Sequence, residues 1–169
     1  MCRSEGKPIS AGSLVTGLGK PVAGAFVWGS MMAVSAYVAL RFGLGRSGGP
    51  SIGVILAIYF LGGACGFALA YPFLWFAHRI SRPLLRTLLV ILLLGIFTLG
   101  ATALILLLQY RTYYAQWHGP ALSRIWFWQQ FYTALGSTYQ YAVIGTRLYW
   151  PLGALFLLAT SWWLSRQRR

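Results

Sequence analysis

The residue types able to do chemistry are few, and they sit at the ends of apolar runs. His78, Arg79, Arg82 and Arg86 fall together in "WFAHRISRPLLRTLLV", residues 75–90, and His118 stands in "WHGP". The chain has one acidic residue, Glu5, against fourteen Lys and Arg. Paired carboxylates for acid–base work, aspartate-held Mg²⁺ and aspartyl dyads are therefore impossible within it. A histidine base has no Asp to orient it. No catalytic, cofactor-binding or metal-ligating set emerges, and the expectation is a protein that is not an enzyme.

The basic residues themselves have two readings. As loop residues they meet anionic phospholipid headgroups, each contributing about 1 kcal/mol near such a surface. As functional residues, Arg79, Arg82, Arg86 and Arg147 would contact an anion or a partner's acidic segment. The first reading suffices for the 75–90 stretch, because loops beside membrane spans are routinely basic. Nucleic-acid binders gather Lys and Arg on one face or along one helix. Here the groups are scattered between apolar runs, so nucleic acid is not an expected partner.

The elements that carry these residues follow from composition. The 169 residues are 58% hydrophobic and only 9% charged, where soluble domains average about 25% charged. Such a surface needs lipid to cover it. Four apolar runs are long enough to cross a bilayer: residues 21–40, 52–76, 87–109 and 148–164. Residues 1–20 read as a mobile cytoplasmic tail, and 21–169 as one transmembrane domain. The first run is long for a signal peptide, with its basic residues behind a leader, so it is expected to be retained. "RFGLGRSGGP", 41–50, reads as a Gly-rich turn.

Residues 110–147 form the one sizeable loop. Within it Ile125, Trp128, Phe131, Tyr132 and Leu135 recur at helical spacing, with Gln129, Gln130 and Thr133 opposite and Trp126 breaking the pattern. This predicts an amphipathic helix in the interface plane or packed over the end of the bundle. The fold class is thus an all-α membrane protein, a bundle of four transmembrane helices with an interfacial helix before the fourth.

Orientation follows from the basic residues. Nine Lys and Arg fall on the side of the termini and of the turn after residue 76, against five (Arg41, Arg46, Arg111, Arg124, Arg147) on the other. That places both termini in the cytoplasm, and by analogy of plan the membrane is the bacterial inner membrane. Trp150, Trp162 and Trp163 bracket the last run as interfacial anchors.

Small residues at four-residue spacing, Ala25, Gly29 and Ala33 in the first run and Gly62, Gly66 and Ala70 in the second, allow close helix packing. Packing within this protein is favoured over docking to another subunit. Ser30, Ser35, Thr98 and Thr102 can bond their own helix carbonyls, and Cys65 reads as a small packing residue. Membrane aspartyl signal peptidases share the size and plan but require two aspartates, and four-helix disulfide oxidases require a CxxC pair; neither requirement is met.

Three functions remain in order of preference. The first is a non-enzymatic accessory, assembly or anchoring subunit of a larger membrane complex in secretion or envelope biogenesis, with Trp128 and Phe131 as partner contacts. The second is a small oligomeric transporter or flippase-like protein for neutral or anionic substrates. The third is a lipid enzyme with His78 or His118 as base. The expected partners are anionic phospholipids and other membrane subunits.

Overall fold

The computed structural model describes residues 11–45 and 49–166. It is helical throughout, with no strand among the described residues. Helix α1 spans Ala11–Val38 and continues as a π-helical turn over Ala39–Gly43. Helix α2 spans Pro50–His78 and α3 spans Pro83–Tyr114. A short 3₁₀ turn, Ala115–Trp117, leads through a loop to α4, Arg124–Val143. A second 3₁₀ turn, Gly145–Tyr149, precedes α5, Leu152–Arg166.

The starts of these helices are written locally. Pro50 and Pro83 occupy the first turns of α2 and α3, where the missing N–H costs nothing and φ is already helical. Ser123 caps α4 by accepting from the Trp126 N–H at 3.1 Å. Gly49, at φ 140°, and Gly45, at φ 62°, supply left-handed backbone on either side of the α1–α2 connection. Pro72 lies inside α2, which runs through it.

Boundaries differ from the sequence expectation in three places. Helix α1 begins at Ala11, so the second half of the expected tail is helical, while residues 1–10 lie outside the described residues. The first helix also passes Arg41 and Phe42 before it ends, tightening the Gly-rich turn. The expected final span, 148–164, is broken: a 3₁₀ turn and the cis Trp150–Pro151 peptide occupy its first residues. Helix α5 has 15 residues, about 22 Å at 1.5 Å per residue. Its axis bends 70° from that of Arg124–Tyr149.

Among the described residues, three helices are long and apolar enough to cross a membrane, and the bent α4–α5 pair would make a fourth. In each of the three, only 28–33% of the apolar window is buried within the protein. Leu61, Leu69, Leu88, Leu92, Ile96 and Leu104 are among the large apolar residues left facing outward.

Close approach of backbones holds α1, α2 and α3 together. A Cβ on Gly29 would come 2.6 Å from the Phe60 carbonyl, and one on Gly63 would lie 3.0 Å from the Gly29 Cα. On the other side of α2, a Cβ on Gly62 would collide with Thr102, and one on Gly66 would lie 2.5 Å from the Thr98 Cα. Gly29, Gly62, Gly66 and Ala70 are buried, whereas Ala25 and Ala33 are half-buried. Cys65, expected to pack inside, is exposed on the outer side of α2. Around these contacts lie two apolar clusters. One contains Trp28, Met32, Phe67, Leu74, Val90 and Leu94, and the other Ala36, Leu40, Ile58, Tyr59 and Leu148.

The helices α1 and α2 run antiparallel, since Gly24 meets Phe67 while Ala36 shares a cluster with Ile58. The Arg86 guanidinium reaches the Ser165 carbonyl at 3.0 Å, which brings the end of α5 to the α2–α3 turn. The start of α1 and the end of α5 therefore lie at the same end of the bundle. The break before α5 lies toward the opposite end, beside the close of α1.

Candidate functional site

The break between α4 and α5 exposes backbone groups that helical bonding would otherwise satisfy, and buried groups of this kind need partners. Ser35 of α1 and Tyr59 of α2 supply them, and Thr102 of α3 anchors a side chain of the break. From α1, the fully buried Ser35 hydroxyl donates to the Leu148 carbonyl at 3.0 Å and accepts from the Gly153 N–H at 2.9 Å. From α2, the Tyr59 hydroxyl donates to the Gly145 carbonyl at 2.6 Å. From α3, Thr102 Oγ1 donates to its own Thr98 carbonyl at 2.8 Å and lies 2.7 Å from the Tyr149 hydroxyl, which is left to donate to it.

This polar cluster extends across the helices. Trp28 Nε1 donates to Thr98 Oγ1 at 2.9 Å. The Tyr141 hydroxyl is buried beside Thr102 and Tyr149 without a bond of normal geometry. Tyr59 and Tyr149 pack their rings at 5.0 Å. Of the four hydroxyl residues expected to bond their own helices, Ser30 and Thr102 do so. Ser35 and Thr98 instead join separate helices. Sequence reasoning missed Tyr59, Tyr141 and Tyr149; Pro151 within the last apolar run was the available sign of a break.

Cavities surround the break. One of about 260 Å³ lies between Trp28, Leu94, Thr98, Tyr149 and Gly153. A larger, open cleft of about 1080 Å³ separates the end of α1 from the break and carries Gln140 and Arg147 on its walls. A smaller one of about 170 Å³, lined by Tyr59, Thr102 and Tyr141, shares Ile55, Gln140, Ile144 and Leu148 with that cleft.

The other expected site residues are spread over the molecule. Arg86 is a structural residue: Nε and Nη2 donate to the Ile80 carbonyl at 3.1 and 2.8 Å, and Nη1 donates to Ser165. Thr87 reinforces the junction through the Ser165 hydroxyl at 2.9 Å. Arg79 lies over the Trp75 ring at 3.7 Å, and Arg166 lies over Trp162 at 3.8 Å, a placement that favours a cation on an aromatic face. Arg82 is exposed. Arg147 is exposed on the far side of the molecule, at the break, so the four arginines do not form one site.

His118 ties the loop before α4 to that helix. The Gln130 amide donates to its Nδ1 at 2.8 Å, and Thr133 Oγ1 lies 3.4 Å from its Nε2. Gln129 accepts from the Gly119 N–H at 2.8 Å. The side chain of His78 lies outside the described residues, but its backbone ends α2 at the other end of the bundle. Among the described residues, no three potential metal-ligating side chains come together.

These bonds settle which way α4 faces. Gln129, Gln130, Thr133 and Ser137 turn inward, toward the loop and the bundle. Ile125, Trp128, Phe131, Tyr132 and Leu135 are each more than half exposed. Trp128 stacks on Tyr132 with ring centroids 6.1 Å apart, and Phe131 meets Tyr132 edge-on at 5.7 Å. Trp126, off the expected pattern, is half-buried near Arg111.

Neither protein-family models nor comparisons with curated proteins and solved structures yield a match to the chain.

Proposed function

We propose that the chain is a multi-pass protein of the bacterial inner membrane, with both termini cytoplasmic, that serves as a non-enzymatic accessory or anchoring subunit of a larger membrane complex. The secretion or envelope-biogenesis setting is part of the same reading. The observation that carries it is the outward aromatic face of α4, built from Trp128, Phe131, Tyr132 and Leu135. Its polar side is already used within the protein, so this face is what the helix offers to others. Aromatic side chains of this kind dominate interface energetics, since they bury large areas with few rotamers to freeze.

Membrane insertion is supported by the outward apolar residues of α1, α2 and α3, which water would not tolerate over such an area. Orientation rests on the excess of Lys and Arg at the end shared by the termini and the α2–α3 turn. In that frame α5, at about 22 Å, falls short of the roughly 30 Å hydrocarbon thickness. The 3₁₀ turn ahead of it belongs to the segment bent 70° away and adds little along the α5 axis. Irregular backbone at membrane depth must be buried in protein or line a wet cavity, and the bonds from Ser35 and Tyr59 to the backbone of the break support that reading.

The test is co-purification in mild detergent, comparing the native chain with a Trp128→Ala/Phe131→Ala double variant. A stoichiometric companion lost in the variant is the expected result.

The alternative, a small transporter or flippase-like protein for neutral or anionic substrates, draws on one observation: an open cleft with an arginine beside a broken helix. Discontinuous helices mark substrate sites in many transporters. Loss of vesicle flux in Arg147→Ala, with the fold retained, would favour it.

A further inference from the structure

The large cleft beside the helix break combines a charge and a shape that call for one class of ligand. Arg147 stands on its wall, exposed, and its backbone, not its side chain, serves the 3₁₀ turn: the N–H donates to the Ile144 carbonyl at 3.2 Å and the carbonyl accepts from Trp150 at 3.1 Å. Its guanidinium has no carboxylate to meet, because the described residues contain neither Asp nor Glu. Gln140 faces the same space. Its amide oxygen accepts from the Tyr110 hydroxyl, which leaves the amide N–H groups to donate. The polar side chains of Gln140 and Arg147 therefore offer donors to the cleft, and the fixed charge is positive.

The remaining wall is apolar, with Phe42, Leu44, Ile55 and Ile144 on it. Phe42 is 80% exposed. These side chains continue the outward apolar surface of α1 and α2, the surface a bilayer would cover. A volume of about 1080 Å³ is at the upper end of small-molecule sites, which run to about 1,000 Å³. A free phosphate would satisfy Arg147 and leave this wall wet. An acidic peptide would bring unpaired backbone groups against it. An anionic amphiphile satisfies both at once.

We infer that the cleft holds one anionic phospholipid from the surrounding bilayer, its phosphodiester on Arg147 and Gln140 and an acyl chain along Phe42, Leu44 and Ile55. The planar guanidinium suits a phosphate, to which it presents two parallel donors. The inference rests on the chain being membrane-embedded and needs no partner subunit.

Native mass spectrometry of the detergent-purified full chain, titrated with phosphatidylglycerol or phosphatidylcholine, tests it. Phosphatidylcholine has the same phosphodiester but offsets it with its own quaternary ammonium, so phosphatidylglycerol is expected to be retained about fivefold more strongly, the effect of one arginine near a net anionic group. Arg147→Gln should bring the two lipids close to parity. Arg82→Gln should leave the preference as it is. Phe42→Ala should weaken both lipids together. Glycerol phosphate added at equal concentration should not displace the lipid; displacement would assign the cleft to a free phosphate and overturn the lipid as occupant. Equal retention of the two lipids by the native chain, or an undiminished preference in Arg147→Gln, would also overturn it. A chain that stays dispersed without detergent would instead overturn the membrane reading on which the inference stands.

Discussion

Ser35 on α1 and Gly153 on α5 are joined by a 2.9 Å hydrogen bond across 118 positions of sequence, with the Gly153 N–H donating to the Ser35 hydroxyl. The same hydroxyl donates to Leu148 on the other side of the break. One serine thus satisfies a backbone donor and a backbone acceptor that the interruption leaves over. Ser35→Ala would bury both without partners, at about 1–3 kcal/mol for each group stranded. The expected outcome is a lowered thermal midpoint in detergent together with faster proteolysis within residues 144–151. An unchanged midpoint would mean that the break is held by other contacts.

Glycine positions in α2 and α3 differ in what a methyl group would meet. At Gly62 it would strike Thr102, including the Cα at 2.8 Å, whereas at Gly100 nothing lies within 4 Å. Gly62→Ala should cost about 1–3 kcal/mol through overpacking. Gly100→Ala should be neutral or stabilising, because alanine is the better helix former by up to about 1 kcal/mol. Paired thermal denaturation in detergent reads the contrast directly.

Two nearby arginines make a second contrast. Arg86 donates to the carbonyls of Ile80 and Ser165, while Arg82 is exposed and has no side-chain hydrogen bond among the described residues. Hydrogen bonds from charged groups contribute about 1.5–3 kcal/mol. Arg86→Gln should therefore loosen the end of α5, seen as faster amide exchange around Ser165, and Arg82→Gln should not.

The role of His118 is separable from chemistry. Its two ring nitrogens are engaged by Gln130 and Thr133. His118→Ala should raise protease sensitivity across residues 115–123 while the unfolding free energy of the bundle changes by no more than about 1 kcal/mol, the worth of an ordinary hydrogen bond. Loss of the whole fold would show that the clamp is integral to the bundle.

Cys65 reports on the membrane itself. It lies midway along the apolar stretch Ser51–Ala77 and faces outward. In a Cys2→Ser background reconstituted into vesicles, an apolar maleimide should label it and a charged, impermeant one should not. Rapid labelling by the charged reagent would place α2 in water.

Much of the fold was legible because lipid imposes a simple rule. With no water to satisfy backbone groups, long apolar runs become helices, and α2 and α3 cover the expected 52–76 and 87–109 with a few residues added at each end. Both helices start at a proline, Pro50 and Pro83, ahead of the 52 and 87 expected from hydropathy. The last run was harder. Hydropathy averages over Trp150 and Pro151 and sees one span, whereas the structure puts a 3₁₀ turn and a 70° bend there. What holds that bend is long-range, from Ser35, Tyr59 and Thr102, and no local pattern announces such partners.

The helical character of α4 was legible from its spacing, but its orientation required the structure. A soluble helix would bury Trp128 and Phe131 and expose Gln129 and Gln130. Here the glutamines bond inward to His118 and Gly119, and the aromatics face out. Likewise the four arginines grouped by charge in the sequence part company: Arg86 binds carbonyls, Arg79 covers Trp75, and Arg147 opens onto a cleft.

The aromatic face of α4 as a subunit contact is the central claim, and one comparison tests it most directly. The full chain, tagged at its C-terminus, is purified in mild detergent and sized on native gels with mass spectrometry of what accompanies it, beside the Trp128→Ala/Phe131→Ala variant. The account predicts a larger complex with a companion at fixed stoichiometry, reduced to the free chain by the double substitution while thermal stability holds. A lone monomer or homo-oligomer in both samples, or a companion retained by the variant, would contradict it.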